Sequence, residues 1–176
     1  PFSFEIFRTP GYPVFISIIL MVFKSIVFIV LAQIFLWLLA IYLIYKLSLL
    51  IFNNKKISLL AAGLAGFDPA IVYWNDQVAS ETLFTLLLIA SIYSLFLFLR
   101  GGRWTRLVFS AFLFGWANIT RPIGQYLIII YLLAIVACAF YKHKYKIFLG
   151  AIAFVVIVGT IAMPIMVRNK ILYGSY

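Results

Sequence analysis

The stretch SIVFIVLAQIFLWLLAIYLIYKLSLL, residues 25–50, holds a single charged side chain, Lys46, among otherwise almost entirely apolar residues. The hydrocarbon core of a bilayer is about 30 Å thick and needs about 20 apolar residues of α-helix to cross it. A helix can cross because it satisfies its own backbone N–H and C=O groups where water is absent. This stretch therefore predicts a transmembrane helix.

Five further apolar runs follow this stretch, and a shorter apolar run precedes it. The complete set of predicted spans is 25–50, 57–74, 81–99, 104–119, 125–141 and 147–167. The run 104–119 is short for a span. Residues 13–23 cover only about half a span, which predicts an interfacial or re-entrant helix separated from the first span by Lys24 and Ser25.

The sequence thus predicts an all-α fold, a polytopic transmembrane helix bundle with about six spans and a short interfacial helix. Residues 1–24 would form an external turn and that interfacial helix, and residues 25–176 the bundle. The composition agrees, because 66% of the 176 residues are hydrophobic and only 10% are charged. A soluble domain would carry about 25% charged residues. A lone cysteine, Cys138, excludes a disulfide framework and a cysteine-based metal site.

The charged residues divide between the two sets of loops, which predicts the orientation. One set of loops holds nine bases and no acid: Lys46, Lys55, Lys56, Arg100, Arg103, Arg106, Lys142, Lys144 and Lys146. The other set holds five bases and lies on the side of all four acids: Arg8, Lys24, Arg121, Arg168 and Lys170 with Glu5, Asp68, Asp76 and Glu81. The base-rich side is expected to be cytoplasmic. The net charge of +10 then reflects topology, and no nucleic-acid partner is expected.

The turn Arg8-Thr9-Pro10-Gly11-Tyr12-Pro13 is the most specific string in the chain. Its two prolines fix φ, and Gly11 permits a tight turn, so Arg8 and Tyr12 are held at the water–lipid boundary. Arg8 can meet an anionic lipid phosphate with its bidentate guanidinium. It can equally be an anchor to lipid headgroups in a turn that leads into the helix.

Three other polar segments are expected on the same side. Ser80 is the predicted N-cap of a span, and Glu81 falls in its first turn, where an acid suits the helix dipole. Glu81, with Asp76, can instead hold a divalent metal or orient a donor group. Arg121 precedes Pro122 in an extended turn, and Arg168 with Asn169 is expected to close the last span.

These motifs resemble, in this order, the membrane domain of family 39-type glycosyltransferases of the GT-C superfamily. The matching strings are Arg8-Thr9-Pro10-Gly11-Tyr12-Pro13, Ser80-Glu81-Thr82-Leu83-Phe84, Thr120-Arg121-Pro122 and Arg168-Asn169 with Tyr173-Gly174. The family is related to protein O-mannosyltransferases and bacterial aminoarabinose transferases.

The resemblance implies transfer of a sugar from a polyprenyl-phosphate donor to an acceptor hydroxyl of a glycan, lipid or protein. The reaction would occur on the outer face of the membrane, in bacteria the inner membrane. Arg8, Tyr12, Arg121 and Arg168 would bind substrate, and Glu81 and Asp76 would be candidate ligands of a divalent metal. In the family, the catalytic acid lies in the first external loop, after a first transmembrane helix and upstream of the Arg-Thr-Pro-Gly-Tyr-Pro turn. Only seven residues precede Arg8 here, and Glu5, the one acid among them, is too close to the turn for this role. The catalytic acid is therefore expected upstream of Pro1, and a fragment without its first span and C-terminal remainder is expected to be inactive alone.

Two other functions remain open from the residues. Helices broken near Pro69 and Pro122 would suit a transporter or flippase for a lipid-linked or anionic substrate. The charges gather at one surface, however, whereas such a site lies near mid-bilayer. A structural membrane subunit would not need the arginines on that surface.

The topology predicted from the charge distribution can be tested by cysteine labelling. In a Cys138→Ala background, Gln77→Cys should react with an impermeant thiol reagent on intact cells, because residue 77 lies in a predicted external loop. Asn54→Cys should be protected, because it follows the cytoplasmic end of the first span. The reverse labelling pattern would contradict both the topology and the outer position of the acids.

Overall fold

The computed structural model describes residues 9–67, 80–101, 103–142 and 145–173, and every regular element in those ranges is an α-helix. These seven helices are α1 (Gly11–Phe23), α2 (Ile26–Phe52), α3 (Lys55–Gly66), α4 (Glu81–Gly101), α5 (Trp104–Thr120), α6 (Gly124–Lys142) and α7 (Tyr145–Tyr173). The predicted all-α bundle is confirmed.

Local signals set the ends of the first three helices. Lys24 and Asn53 adopt left-handed conformations, φ 52° and 51°, and their N–H groups bond Leu20 O and Leu49 O as helix C-caps. Asn54 then caps α3, since its Oδ1 accepts hydrogen bonds from the backbone N–H of Lys56 at 2.9 Å and from that of Ile57. The predicted break between the interfacial helix and the first span is confirmed.

Length and apolar composition allow four of the described helices to cross a membrane: α2, α4, α6 and residues Tyr145–Ile171 of α7. Helix α5, with 17 residues, is about 25 Å long at 1.5 Å per residue, slightly short of the hydrocarbon core, as the sequence predicts. Helix α1 is apolar but has only 13 residues. The chain is therefore an integral membrane protein.

One predicted span boundary is wrong, and another is covered only in part by the described residues. The first part of the span predicted at 57–74 is α3, which ends at Gly66. The remaining part of that predicted span lies outside the described residues. At the other end, α7 continues through Pro164 to Tyr173, so Arg168 and Asn169 lie within the helix and do not close it. Pro164 removes one hydrogen bond within the helix. The helix nevertheless continues on both sides of this residue.

The core lies between α4, α5, α6 and α7. Phe114, Tyr131 and Phe154 form its centre, with ring centroids 4.4–5.5 Å apart, within the range of favourable aromatic pairs. Helix α2 packs against α4 through Trp37 and Leu86. Apolar side chains on the outer faces, such as those of α2 and α7, are largely exposed, as expected for surfaces that meet lipid.

A buried pair of serines joins α4 and α5. Ser91 Oγ donates to Ser110 O at 2.8 Å, Ser110 Oγ donates to Ser91 O at 2.9 Å, and both residues are fully buried. Small hydroxyl residues allow two helices to approach closely, and they supply hydrogen bonds where no water competes. This pair fixes the register of α4 against α5.

The bundle has one end rich in bases and another that carries the carboxylate of Glu81. At the first, called the basic end, Arg100 donates to Leu50 O, Arg106 to Leu97 O and Lys142 to Leu99 O. At the opposite end of α4, called the carboxylate end, Glu81 begins the helix. Helix α4 has 21 residues and is therefore about 30 Å long. The predicted separation of acid and base is confirmed for these residues.

Close packing of α5 on α7 depends on Gly115. A Cβ at this position would lie 2.7 Å from Ile161 Cδ1 and 3.2 Å from Ile161 Cβ. Gly115→Val should therefore cost about 1–3 kcal/mol, the range for overpacking a core, and lower the thermal midpoint in detergent. Gly159→Val is the matched control on α7, because a Cβ there meets nothing within 4 Å. Equal midpoints for the two variants would contradict this packing.

Candidate functional site

The Thr9–Tyr12 segment lies directly against the end of α5. Thr9 Oγ1 donates to Thr120 O at 2.8 Å. A Cβ on Gly11 would lie 2.7 Å from Ile119 O and 2.7 Å from Thr120 Oγ1. Only glycine permits this approach to the backbone, so the motif around Gly11 and the Thr120-Arg121-Pro122 motif form one unit.

An ion pair joins this unit to the start of α4. Arg121 Nη1 lies 2.8 Å from Glu81 Oε1. Arg121 follows the last turn of α5 in an extended conformation, φ −142° and ψ 129°, as a residue before proline prefers. The two side chains are 38% and 33% exposed. A pair this accessible contributes about 0–1 kcal/mol, so its main effect is to position the guanidinium.

Tyr12 adds a hydroxyl group to the same cluster. Its oxygen is buried and has no hydrogen-bond partner among the described residues. Burial, with a further contribution from the negative charge of Glu81, raises the pKa of Tyr12 to about 12. The phenol therefore remains protonated at neutral pH, and it can donate a hydrogen bond to an incoming acceptor.

Asn118 lies one turn before Arg121, where its side chain contacts the start of α6. A Cβ on Gly124 would lie 2.8 Å from Asn118 Oδ1, and this oxygen is buried without a hydrogen-bond partner in the described part of the chain. Buried polar atoms almost always have a partner in a folded protein, and exceptions often mark functional positions. Tyr12 Oη and Asn118 Oδ1 are two such atoms near one ion pair.

The structure brings together three of the residues predicted to bind substrate or metal: Tyr12, Glu81 and Arg121. Arg168 lies on α7, where Nε and Nη2 donate to Asn169 Oδ1 at 3.3 and 3.1 Å, and no ion pair joins it to Glu81. Arg8 and Asp76 lie outside the described residues. The metal prediction for Glu81 and Asp76 therefore stays a prediction. Over the described ranges no group of three His, Cys, Asp or Glu side chains could hold an ion.

Sequence reasoning missed the partners within this cluster. It offered Glu81 as a helix-start acid, a metal ligand or a donor-orienting group, and Arg121 as a phosphate-binding group, but it did not predict that the two side chains contact each other. It also explained Gly11 by a tight turn, whereas Gly11 begins α1 and is needed for close approach to Ile119. The signal that could have predicted this contact is the presence of small and hydroxyl residues in both motifs, Thr9 and Gly11 in one and Thr120 in the other.

Fold and site together define a polytopic helical membrane protein with a charged and polar cluster at one end of its bundle. The family model described as dolichyl-phosphate-mannose-protein mannosyltransferase matches residues 8–163. The chain belongs to this family, which is a family of membrane glycosyltransferases of the GT-C type. Neither the curated proteins nor the solved structures include a match to the chain.

The contact of Gly11 with α5 can be tested by one added methyl group. Gly11→Ala should separate the start of α1 from Ile119, because the clash is with backbone atoms that cannot turn aside. We expect faster hydrogen–deuterium exchange in the peptide that covers α1. Gly63→Ala is the control, since a Cβ there meets nothing within 4 Å. Unchanged exchange in Gly11→Ala would contradict the docking of α1.

Proposed function

We propose that this protein transfers a glycosyl group from a polyprenyl-phosphate sugar to an acceptor hydroxyl at the carboxylate end of the bundle. The observation that carries the proposal is the Glu81–Arg121 pair beside the Tyr12 hydroxyl, which has no hydrogen-bond partner among the described residues. Membership in the mannosyltransferase family supports the choice of a lipid-linked sugar as donor.

In the proposed reaction the acceptor oxygen forms a bond to the anomeric carbon of the sugar. The bond between that carbon and the phosphate oxygen breaks, and the polyprenyl phosphate leaves with the electron pair. The proton of the acceptor hydroxyl passes to a carboxylate acting as general base. That carboxylate is expected to precede the Thr9–Tyr12 segment in the chain, outside the described residues.

Arg121 and Tyr12 are suited to the leaving phosphate. Charge develops on the phosphate as the bond breaks, and positioned cations and hydrogen-bond donors stabilise such charge. Glu81 holds the Arg121 guanidinium in place, and Tyr12 keeps its proton available for donation. Arg8, by the sequence motif, and Arg168 would add positive charge.

A metal is not needed for this scheme, since guanidinium groups alone can neutralise a phosphate. The carboxylate of Glu81 already contacts Arg121, so a metal would have to compete with this arginine. No step of the proposed reaction runs through a metal held by Glu81 and Asp76.

The proposal places the carboxylate end on the outer face of the membrane, in a bacterium the periplasmic face of the inner membrane. The support is the uneven distribution of bases, nine against five, between the two sides in the sequence. The acceptor would be a glycan, lipid or protein hydroxyl on that side.

Labelled donor distinguishes transfer from transport. Full-length protein is reconstituted in vesicles with a polyprenyl-phosphate sugar radiolabelled in the sugar, and an acceptor mixture is added. Label that becomes covalently attached to acceptor supports the enzyme. Label that crosses the bilayer still bound to its lipid supports a flippase and contradicts the proposal.

Tyr12→Phe tests the role of the buried hydroxyl. If the hydroxyl donates to the phosphate, the variant should transfer sugar about ten- to a hundredfold more slowly, which corresponds to the loss of one hydrogen bond to a charged group, about 1.5–3 kcal/mol. Its thermal midpoint should be unchanged or higher, because a buried polar atom without a partner is removed.

Tyr126→Phe is the control, because Tyr126 lies at the start of α6 and is 68% exposed. We expect that variant to transfer sugar at the unmodified rate. A normal rate in Tyr12→Phe would show that the hydroxyl does not contact substrate. A lowered thermal midpoint would show that the hydroxyl makes a stabilising hydrogen bond within the protein.

A further inference from the structure

A pocket of about 210 Å³ opens at the basic end of the bundle, where four helices begin or end. Phe98–Gly101 form the end of α4, Trp104 begins α5, Lys142 ends α6, and Lys146 with Ile147 lies in the first turn of α7. Sites for drug-sized ligands are about 300–1,000 Å³. A pocket of this size suits a headgroup better than a whole ligand.

Among the described residues, no acidic side chain balances the positive charge of this pocket. Arg100, Lys142 and Lys146 line it. The helix dipoles add nothing overall, because two C-termini of about −0.5 charge each and two N-termini of about +0.5 each meet there. Glu81, the one acid among the described residues, lies at the far end of α4, about 30 Å away. That distance exceeds a Debye length of about 8 Å several times over.

The cations retain hydrogen-bond donors for a ligand. Arg100 donates one N–H group to Leu50 O, and Lys142 donates to Leu99 O. A guanidinium has five donors and an ammonium has three, so most of them are uncommitted in the described contacts. Lys146 is exposed and makes no hydrogen bond or ion pair within the described ranges. These bonds hold Arg100 and Lys142 at the pocket.

The apolar part of the pocket lining favours the phosphate of a phospholipid over a free phosphate ion. Phe98, Leu99, Trp104 and Ile147 form the remaining walls, and tryptophan is enriched at the headgroup level of membranes. A free phosphate ion has no apolar surface for these walls. A phospholipid presents its phosphate at this depth and its glycerol and acyl carbons beside it.

We propose that this pocket binds the phosphate group of an anionic membrane lipid, at the end of the bundle opposite the proposed glycosyl-transfer site. Arg100, Lys142 and Lys146 contact the phosphate, and Trp104 contacts the glycerol region. Basic pockets between transmembrane helices on the cytoplasmic side bind lipid headgroups in this way. The inference does not depend on the proposed reaction.

The test measures phosphatidylglycerol bound to the full chain. Protein is reconstituted in nanodiscs of phosphatidylcholine with a minor share of phosphatidylglycerol, and the retained lipid is counted by native mass spectrometry. Direct contact between an exposed ammonium and the phosphate contributes up to about 1 kcal/mol, which is about fivefold in affinity. Lys146→Gln should therefore retain phosphatidylglycerol about fivefold less well, and Lys146→Arg should retain it normally.

Lys55→Gln is the matched control, since it removes one charge from the same end at the start of α3, outside the pocket lining. It should bind lipid as the unmodified protein does. Equal losses in Lys55→Gln and Lys146→Gln would overturn the proposal, because the attraction would then be a diffuse surface charge.

Two further measurements separate lipid binding from loss of the fold and from binding of soluble phosphate. In phosphatidylcholine alone, the thermal midpoint of Lys146→Gln should equal that of the unmodified protein, which shows that the fold is retained. Inorganic phosphate at millimolar concentration should not displace phosphatidylglycerol. Displacement that is lost in Lys146→Gln would identify a site for soluble phosphate and overturn the assignment to a lipid.

Discussion

The hydrocarbon core of the bilayer contains no water, and this constraint limits where the charged groups of the described residues can lie. A backbone polar group without a partner in that layer costs several kcal/mol, and buried polar side chains are costly there as well. Ser91 and Ser110 avoid this cost in mid-helix by bonding each other's backbone. The charged groups instead occupy the two ends, with Glu81 and Arg121 at one and Arg100 with Lys142 at the other. The carboxylate and basic ends are consequences of one rule.

The same constraint explains what could be predicted from the sequence. The thickness of the bilayer sets the length of a spanning helix and the depth at which its ends lie. Apolar runs bounded by charged residues therefore predicted the helices, the break at Lys24 and the opposite positions of Glu81 and Arg100. The sequence does not predict which helices lie side by side, because these contacts depend on how each helix is rotated about its axis and on which small residues permit close approach. The approach of Gly11 to Ile119 and the pairing of Glu81 with Arg121 therefore emerged only from the structure. Helix α7 extends to Tyr173 because polar residues can continue a helix into the headgroup layer.

The two ends differ in how their polar groups are satisfied. At the basic end, arginine and lysine side chains bond the last carbonyls of α2 and α4, as cations commonly do at helix C-termini. Those bonds satisfy the helices but leave excess positive charge. At the carboxylate end, the ion pair satisfies Arg121 and Glu81, while Tyr12 Oη and Asn118 Oδ1 are buried without partners in the described ranges. One end thus attracts an anion by net charge, and the other offers positioned donors and acceptors.

The weakness of the Glu81–Arg121 pair is what suits it to the proposed reaction. A pair as exposed as this one contributes about 0–1 kcal/mol, so little stability is lost when another anion takes the place of the carboxylate. A lipid phosphate can therefore share or replace the carboxylate at Arg121 without loss of fold stability. Thr9, Gly11 and Thr120 hold the backbone around the arginine through contacts that do not involve the ion pair. Arg121 can thus exchange one anion for another while the backbone that carries it stays in place, which suits the proposed stabilisation of a leaving phosphate.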